Sequence, residues 1–291
     1  MRVLVLGASG MLGNAMIDVL GRERANEVWG TLRSLSAIQY FSEEQRPRLL
    51  VGVDALDLDT LVRVLDTVRP DVVINCIGLI KQLADAQDPL STLPVNAMFP
   101  HRLGRLCGLA GIRMIHVSTD CVFSGRKGLY TESDPSDADD LYGKSKFIGE
   151  LHDLDHAVTL RTSIIGHELN SDVALVDWFL SQSDEVKGYT KAIFSGLPTV
   201  ELASVIRDCV LTLPELHGLY HVGAAPISKL ELLRLIADQY GKEISIVPDE
   251  RVVIDRSLDC TRFGQATGYV APAWPKLIEK MFDERIRRAA G

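Results

Sequence analysis

The sequence predicts an α/β protein, a doubly wound parallel sheet with helices on both faces and a smaller C-terminal lobe. Three observations predict it. Short apolar runs alternate with amphipathic stretches as far as residue 163, the pattern of right-handed βαβ crossovers. A glycine-rich turn, Gly7-Ala8-Ser9-Gly10-Met11-Leu12-Gly13, joins the first run to the first amphipathic stretch. Beyond residue 163 the alternation breaks down, so the remaining chain belongs to a different architecture.

The elements follow in order. Val3–Leu6 is an apolar strand, and Met11–Leu20 carries Leu12, Ala15, Met16 and Val19 on one helical face. Glu27–Thr31 and Leu49–Val53 read as strands, Leu58–Val68 as a helix and Asp71–Asn75 as a strand. Asn96–Ala110 reads as a helix, Arg113–Val117 as a strand, Tyr142–Asp153 as a helix after a polar loop, and Val158–Arg161 as a strand. Near-continuous Val, Ile and Leu in these strands suit a sheet covered on both faces. A mixed segment then runs to Pro198, followed by a helix over Thr199–Leu211 and a strand over Gly218–Val222. From Ser228 onward two helical stretches flank an irregular middle. The expected division is 1–162 plus 199–223 for the sheet domain, and 163–198 plus 224–291 for the lobe.

Bulk properties narrow the function. The net charge of −8 argues against a general nucleic-acid binder. No apolar run is long enough to span a bilayer, and the N-terminus leads straight into a strand, so neither a membrane span nor a signal peptide is expected. Five cysteines are scattered singly without a CxxC pair, which fits reduced thiols in the cytoplasm.

Gly7, Gly10 and Gly13 lie between a strand and a helix with GxxGxxG spacing. A dinucleotide pyrophosphate needs backbone N–H donors and the positive end of a helix dipole, and glycine lets the main chain approach it closely. The amides of Met11 and Leu12 open that helix. The second strand ends Val28-Trp29-Gly30-Thr31-Leu32-Arg33-Ser34, without the acidic residue that binds the ribose hydroxyls of NAD. Arg33 can instead pair with the 2′-phosphate of NADP; the alternative is a solvated surface charge. Asp54, after the third strand, can accept a bond from the adenine amino group or cap a turn.

Tyr142 and Lys146 stand four residues apart in Tyr142-Gly143-Lys144-Ser145-Lys146. On a helix they share one face. A tyrosine titrates near about 10, and a neighbouring cation lowers that value, bringing the proton within reach of chemistry near neutrality.

Taken together, GxxGxxG, Asn96 within Val-Asn-Ala, Ser118-Thr119-Asp120 at a strand end and Tyr142…Lys146 resemble the extended short-chain dehydrogenase/reductase superfamily. Ser118-Thr119-Asp120-Cys121-Val122-Phe123-Ser124-Gly125, with Tyr130-Thr131-Glu132, narrows the resemblance to dTDP-4-dehydrorhamnose reductases and their sugar-nucleotide reductase relatives. Leu160-Arg161-Thr162-Ser163, Gly196-Leu197-Pro198-Thr199, Gly218-Leu219-Tyr220-His221 and Arg256-Ser257-Leu258-Asp259 extend it over nearly the whole chain. The resemblance implies a Rossmann-type domain holding NADPH, a substrate-binding lobe holding a nucleotide-diphospho sugar, and reduction of a 4-keto group. Tyr142 is then the general acid, and Thr119 hydrogen-bonds the same carbonyl oxygen, with Ser118 as its substitute. Lys146 tunes the tyrosine and binds the nicotinamide ribose, and Asn96 positions Lys146 through a water or caps a helix. A homodimer through the Asn96–Ala110 and Tyr142–Asp153 helices is also implied.

Several residues depart from that pattern. Cys121 replaces a usual tyrosine, and Asp139-Asp140-Leu141 stands where a proline is typical. Cys76-Ile77-Gly78-Leu79-Ile80-Lys81-Gln82 differs from the family's loop after the fourth strand, where Lys81 either touches a sugar substituent or is solvated. Arg256 is the first candidate for the substrate diphosphate, ahead of Arg126, Lys127, Lys191 and Arg251. His152 and His156 have i, i+4 spacing on the expected helix but lack a third metal ligand, so no metal is expected. An epimerase of the same superfamily and a dinucleotide-binding regulatory subunit remain as alternatives.

Overall fold

A computed structural model describes residues 1–23, 25–80, 87–169 and 171–290. The chain alternates β1 (Arg2–Leu6), α1 (Met11–Gly21), β2 (Glu27–Leu32), β3 (Leu49–Val51), α2 (Leu58–Val68) and β4 (Val72–Asn75). Next come α3 (Pro89–Thr92), a π-helical stretch over Leu93–Met98, α4 (Phe99–Leu109), β5 (Arg113–Thr119), α5 (Leu141–Ile148) and β6 (Ala157–Thr162). The remainder holds β7 (Ile164–Ile165), α6 (Leu175–Ser181), β8 (Val186–Phe194), β9 (Leu197–Pro198), α7 (Thr199–Val205) and β10 (Gly218–His221). It closes with β11 (Ile227–Ser228), α8 (Lys229–Tyr240), β12 (Ile246–Asp255), α9 (Thr261–Thr267) and α10 (Trp274–Ala290). No described helix is long and apolar enough to cross a membrane.

Seven strands form one parallel sheet in the order β10-β6-β5-β4-β1-β2-β3. The expected α/β class and doubly wound parallel sheet are therefore present. Strand order reverses between β1 and β4, and ligands of such sheets bind at the carboxyl ends beside that reversal. Alternation within β1 sends Val3 and Val5 to one face and Leu4 and Leu6 to the other. The first face packs on α1 and α7, the second on Leu61, Val64 and Val68 of α2 and Phe99, Leu103 and Cys107 of α4.

Local chemistry sets the helix ends. Asp57 caps α2 by accepting from the amides of Asp59 and Thr60, and Asp140 caps α5 by accepting from Gly143 N at 2.8 Å. Ser228 caps α8, its hydroxyl accepting from Glu231 N and donating to the Glu231 carboxylate.

Three sequence expectations change. Helical structure begins at Pro89, capped by Asp88, so Asn96 lies inside the π-helical stretch and caps nothing. The Pro94 ring, which donates no backbone hydrogen bond, falls in that irregular turn. The α5 helix ends at Ile148, so His152 and His156 follow it in a loop. The irregular middle of the last part contains β12, a ten-residue strand paired in parallel with β8. That strand showed no apolar alternation because Asp249 alone of its ten residues is buried, and its partner lies on one side only. With β11 on the other side of β8 it makes a three-stranded sheet.

Gly13 packs so tightly that a Cβ there would lie 2.1 Å from Gly7 O. Gly13→Ala is expected to destabilise the protein by about 1–3 kcal/mol, as overpacking does, and thermal denaturation followed by circular dichroism measures it. An unchanged Tm would mean that the turn relaxes freely.

Candidate active site

The glycine-rich turn separates into packing and non-packing positions. Gly7 has φ +80°, and a Cβ there would press on Ile77 Cγ1 at 2.9 Å, in the loop after β4. Its amide donates to Thr31 Oγ1 at 3.1 Å, and Ala8 N donates to Thr31 O at 3.0 Å, which ties the turn to the end of β2. Gly10 is different. Its φ is −75°, and a Cβ would meet only Gly7 O at an ordinary 3.4 Å. The fold does not require glycine at this N-cap, and no side chain caps the amides of Met11, Leu12 and Gly13 that follow. A cradle kept open for an anion fits this arrangement.

Arg33 directly follows β2, is exposed, and has no ion-pair or hydrogen-bond partner among the described residues. Asp54 Oδ1 accepts from Leu56 N at 2.9 Å, so it does cap a turn. Lys81 lies outside the described residues.

Two glycines bring α5 onto the turn after β5 and onto the π-helical stretch before α4. A Cβ on Gly143 would sit 2.1 Å from Cys121 O, and one on Gly149 would sit 2.0 Å from Asn96 O. This close approach sets Tyr142 near Thr119, whose hydroxyl donates to Asp120 Oδ1 at 3.2 Å and accepts from Cys121 N at 3.1 Å. Lys146, 5% exposed, donates to Val117 O at 2.8 Å. Asn96 grips the loop after β4 from two sides, accepting from Leu79 N at 2.8 Å and donating to Leu79 O at 3.0 Å. It also donates to Ser145 Oγ at 3.3 Å. The same glycine logic applies at Gly78, where a Cβ would stand 3.4 Å from Asn96 Oδ1 and 3.8 Å from Lys146 Nζ.

The electrostatics differ from the expectation for Tyr142. Burial raises its phenol well above the ordinary tyrosine value, and Cys121, Asp120 and Asp140 add to the rise while Thr119 opposes it. Lys146 is not among the main influences on the phenol, and its ammonium donates to Val117 O. Burial lowers Lys146 to about 8, against the pull of Glu150 and Cys76. Burial also raises Asp120, with Arg256 opposing.

Ser118 does not join Thr119. Successive strand residues face opposite ways, and the Ser118 hydroxyl donates to Glu150 at 2.7 Å. Of the basic candidates, Arg126, Lys127, Lys191 and Arg251 are all spent on neighbouring carboxylates. Arg256 alone turns to the site, with Nε donating to Phe123 O at 2.7 Å and Nη1 3.8 Å from Cys121 Sγ.

Sequence reasoning missed Lys229. Burial lowers its ammonium while Asp120 and Cys121 act to raise it. It also lines a cleft of about 340 Å³ with Trp178 of α6, Gln182 just after it, and Lys187 and Tyr189 of β8. These residues come from separate elements and form no motif. The cleft combines aromatic side chains with two ammonium groups.

The model of the RmlD substrate binding domain family matches residues 1–286. Methionine adenosyltransferase 2 subunit beta from Rattus norvegicus is 25% identical over 322 residues, covering 98% of this chain and 91% of the relative. A probable low-salt glycan biosynthesis reductase from Haloferax volcanii is 34% identical over 170 residues, covering 57% of this chain and 54% of the relative. Among solved structures, dTDP-4-dehydrorhamnose reductase from Bacillus anthracis in complex with NADP superposes with a TM-score of 0.78 at 22% identity. That alignment covers 97% of this chain and 98% of the other. A Rossmann-type sheet, a Tyr–Lys helix against its fifth strand and a family match along almost the full length agree: the chain belongs to the RmlD substrate binding domain family.

Proposed function

We propose that this protein is an NADPH-dependent reductase of the 4-keto group of a nucleotide-diphospho sugar, acting in deoxysugar or polysaccharide precursor biosynthesis in the cytoplasm. The observation that carries the proposal is the close packing of the Tyr142 helix on the turn after Thr119, at the carboxyl end of β5. Residues 1–162 plus 199–223 serve as the cofactor domain, and 163–198 plus 224–291 as the substrate lobe. Gly7, Gly10, Met11, Leu12 and Gly13 hold the cofactor pyrophosphate, Arg33 its 2′-phosphate, and Lys146 its ribose. When bound, that cofactor supplies the hydride.

The residues of the chain handle the proton. Because Tyr142 stays protonated well past neutral pH, it is ready as a general acid for the oxygen that gains charge. Thr119 donates a second hydrogen bond to that oxygen. A charged Lys146 below about pH 8 favours the phenolate left after proton transfer. Arg256 and Lys229 hold the diphosphate, and the Trp178 and Tyr189 rings offer faces to the base. A homodimer would use α4 and α5, where Leu109 and Ile148 are 88% and 55% exposed.

A second reading has its own observation. The similarity to an adenosyltransferase beta subunit spans 98% of this chain, which favours a role as a subunit of another enzyme. A panel of dTDP-, UDP-, GDP- and CDP-linked 4-keto sugars with NADPH separates the two. Consumption of reduced cofactor with one of them supports the reductase, and inertness toward all supports the subunit.

Tyr142→Phe is expected to leave NADPH affinity within about twofold and to lower turnover by about 10²–10⁴-fold, measured by fluorescence titration and steady-state rates. Wild-type turnover in that variant would remove Tyr142 as the acid. Arg33→Ala is expected to weaken NADPH by roughly tenfold, the scale of one charge-assisted contact, and to leave NADH nearly unaffected. Equal losses for both cofactors would end the case for 2′-phosphate recognition.

A further inference from the structure

The helix that carries Trp178 is weakly held on its own account. α6 has seven residues, and its N-cap, Ala174, offers no side chain to the helix amides; so short a helix depends on tertiary ties. Glu168 supplies one, its Oε2 accepting from Val173 N at 2.8 Å and from Ala174 N at 2.7 Å. Asp177 supplies the next. Its Oδ2 accepts from Glu168 N at 2.7 Å, and its Oδ1 lies 2.5 Å from His167 Nδ1. The other ring nitrogen, His167 Nε2, lies 2.8 Å from the hydroxyl of Tyr240, the last residue of α8. One imidazole thus joins α6 to α8. Phe282 and Arg285 of α10 pack on the Tyr240 ring, 4.9 Å and 5.6 Å from its centroid.

The hydrogens in this chain can be assigned. Burial opposes ionisation of Asp177, yet His167 and the Glu168 amide hold its carboxyl below the usual value. An ionised carboxylate only accepts, so His167 Nδ1 carries a hydrogen. Burial raises the Tyr240 phenol, which keeps its proton and donates to Nε2 of the neutral ring. The residue before His167 fixes where the ring starts. A Cβ on Gly166 would stand 2.6 Å from Thr199 Oγ1 and 3.2 Å from Met11 Sδ, so the backbone entering His167 packs on the residue that opens α1. Leu175 and Trp178 of α6 line the same cleft as Lys229 and Leu233 of α8. We propose that His167 is a positioning residue for this cleft, holding α6 and α8 at a fixed spacing from each other and from the cofactor cradle. The occupant of the cleft, a nucleoside diphosphate, rests on the reductase reading. Lys242 Nζ donates to Leu180 O at 2.9 Å and ties the far end of α6. Loss of the imidazole therefore loosens the start of the helix, where Leu175 and Trp178 sit, without releasing all of it.

Two variants test the bridge. His167→Phe keeps a ring and removes both bonds, whereas Tyr240→Phe removes a single hydroxyl. Calorimetry measures binding of dTDP, UDP, GDP and CDP to each protein, and fluorescence titration measures binding of NADPH. For the nucleoside diphosphate that the wild type binds, His167→Phe is expected to weaken affinity by about tenfold and Tyr240→Phe by about fivefold, the scale of lost hydrogen bonds. The double variant should bind no more weakly than His167→Phe alone. The contact of Gly166 with Met11 is untouched, so NADPH affinity should stay within about twofold throughout. Equal losses for both ligands would mean general loosening and overturn the proposal. A folded His167→Phe with wild-type affinity for the nucleoside diphosphate overturns it too. Should His167→Phe not fold, Tyr240→Phe decides by the same comparison. In the wild type, ¹⁵N NMR should find hydrogen on His167 Nδ1, and a neutral ring protonated on Nε2 instead would break the bridge. A wild type that binds none of the nucleoside diphosphates sinks the nucleotide reading of the cleft and this inference with it, whereas binding that neither variant weakens sinks this inference alone.

Discussion

Two absent side chains govern the site. Gly143 and Gly149 let α5 press its backbone against Cys121 O and Asn96 O, at distances where any Cβ would collide. The helix is short, eight residues, and is fixed at its start by the Asp140 cap. With that contact made, Tyr142 reaches Thr119, Lys146 reaches Val117 O, and Ser145 receives Asn96 Nδ2. A π-helical turn carries Asn96 into the same contact, and such turns recur at functional sites. Beneath it, Glu150, Arg161 and Ser118 form a buried ionic cluster. Removing one partner of such a cluster typically costs about 3–5 kcal/mol, so the geometry above it has a firm floor.

The two key titrating groups are pushed in opposite directions by the same burial. The phenol moves up and the ammonium moves down. Both shifts express the preference of a poorly solvated pocket for neutral forms. Their combination keeps a proton on the tyrosine while leaving the lysine charged near neutrality. That is the arrangement expected of a site that gives a proton to a forming alkoxide, rather than one that withdraws a proton from an alcohol.

The sheet was legible because its strands are short, largely apolar runs set between amphipathic stretches, and because the β1 turn spaces its glycines for a tight approach. The Tyr142–Lys146 pair was legible from helical spacing. The direction of the tyrosine shift was not, since it depends on how deeply the ring sits and on Cys121, Asp120 and Asp140, which converge only in space. Ser118 and Thr119 were adjacent candidates, and the alternation of a strand separated them. Arg256 stood apart from the other cations only once their carboxylate partners were seen. Lys229 and Trp178 belong to a cleft assembled from distant elements.

The last strand of the parallel sheet comes from late in the chain. β10 pairs with β6 across the interval occupied by β7, β8, β9, α6 and α7, and Arg161 meets His221 sixty positions further on. During synthesis, domains assemble as the chain emerges. Here the edge of β6 stays unpaired until the ribosome has released residue 221, and Arg161 and Glu150 keep access to water until then. Nascent chains halted in that interval carry an open sheet edge, the feature most prone to adventitious strand pairing. Folding of the N-terminal unit is thereby coupled to completion of the segment that follows it.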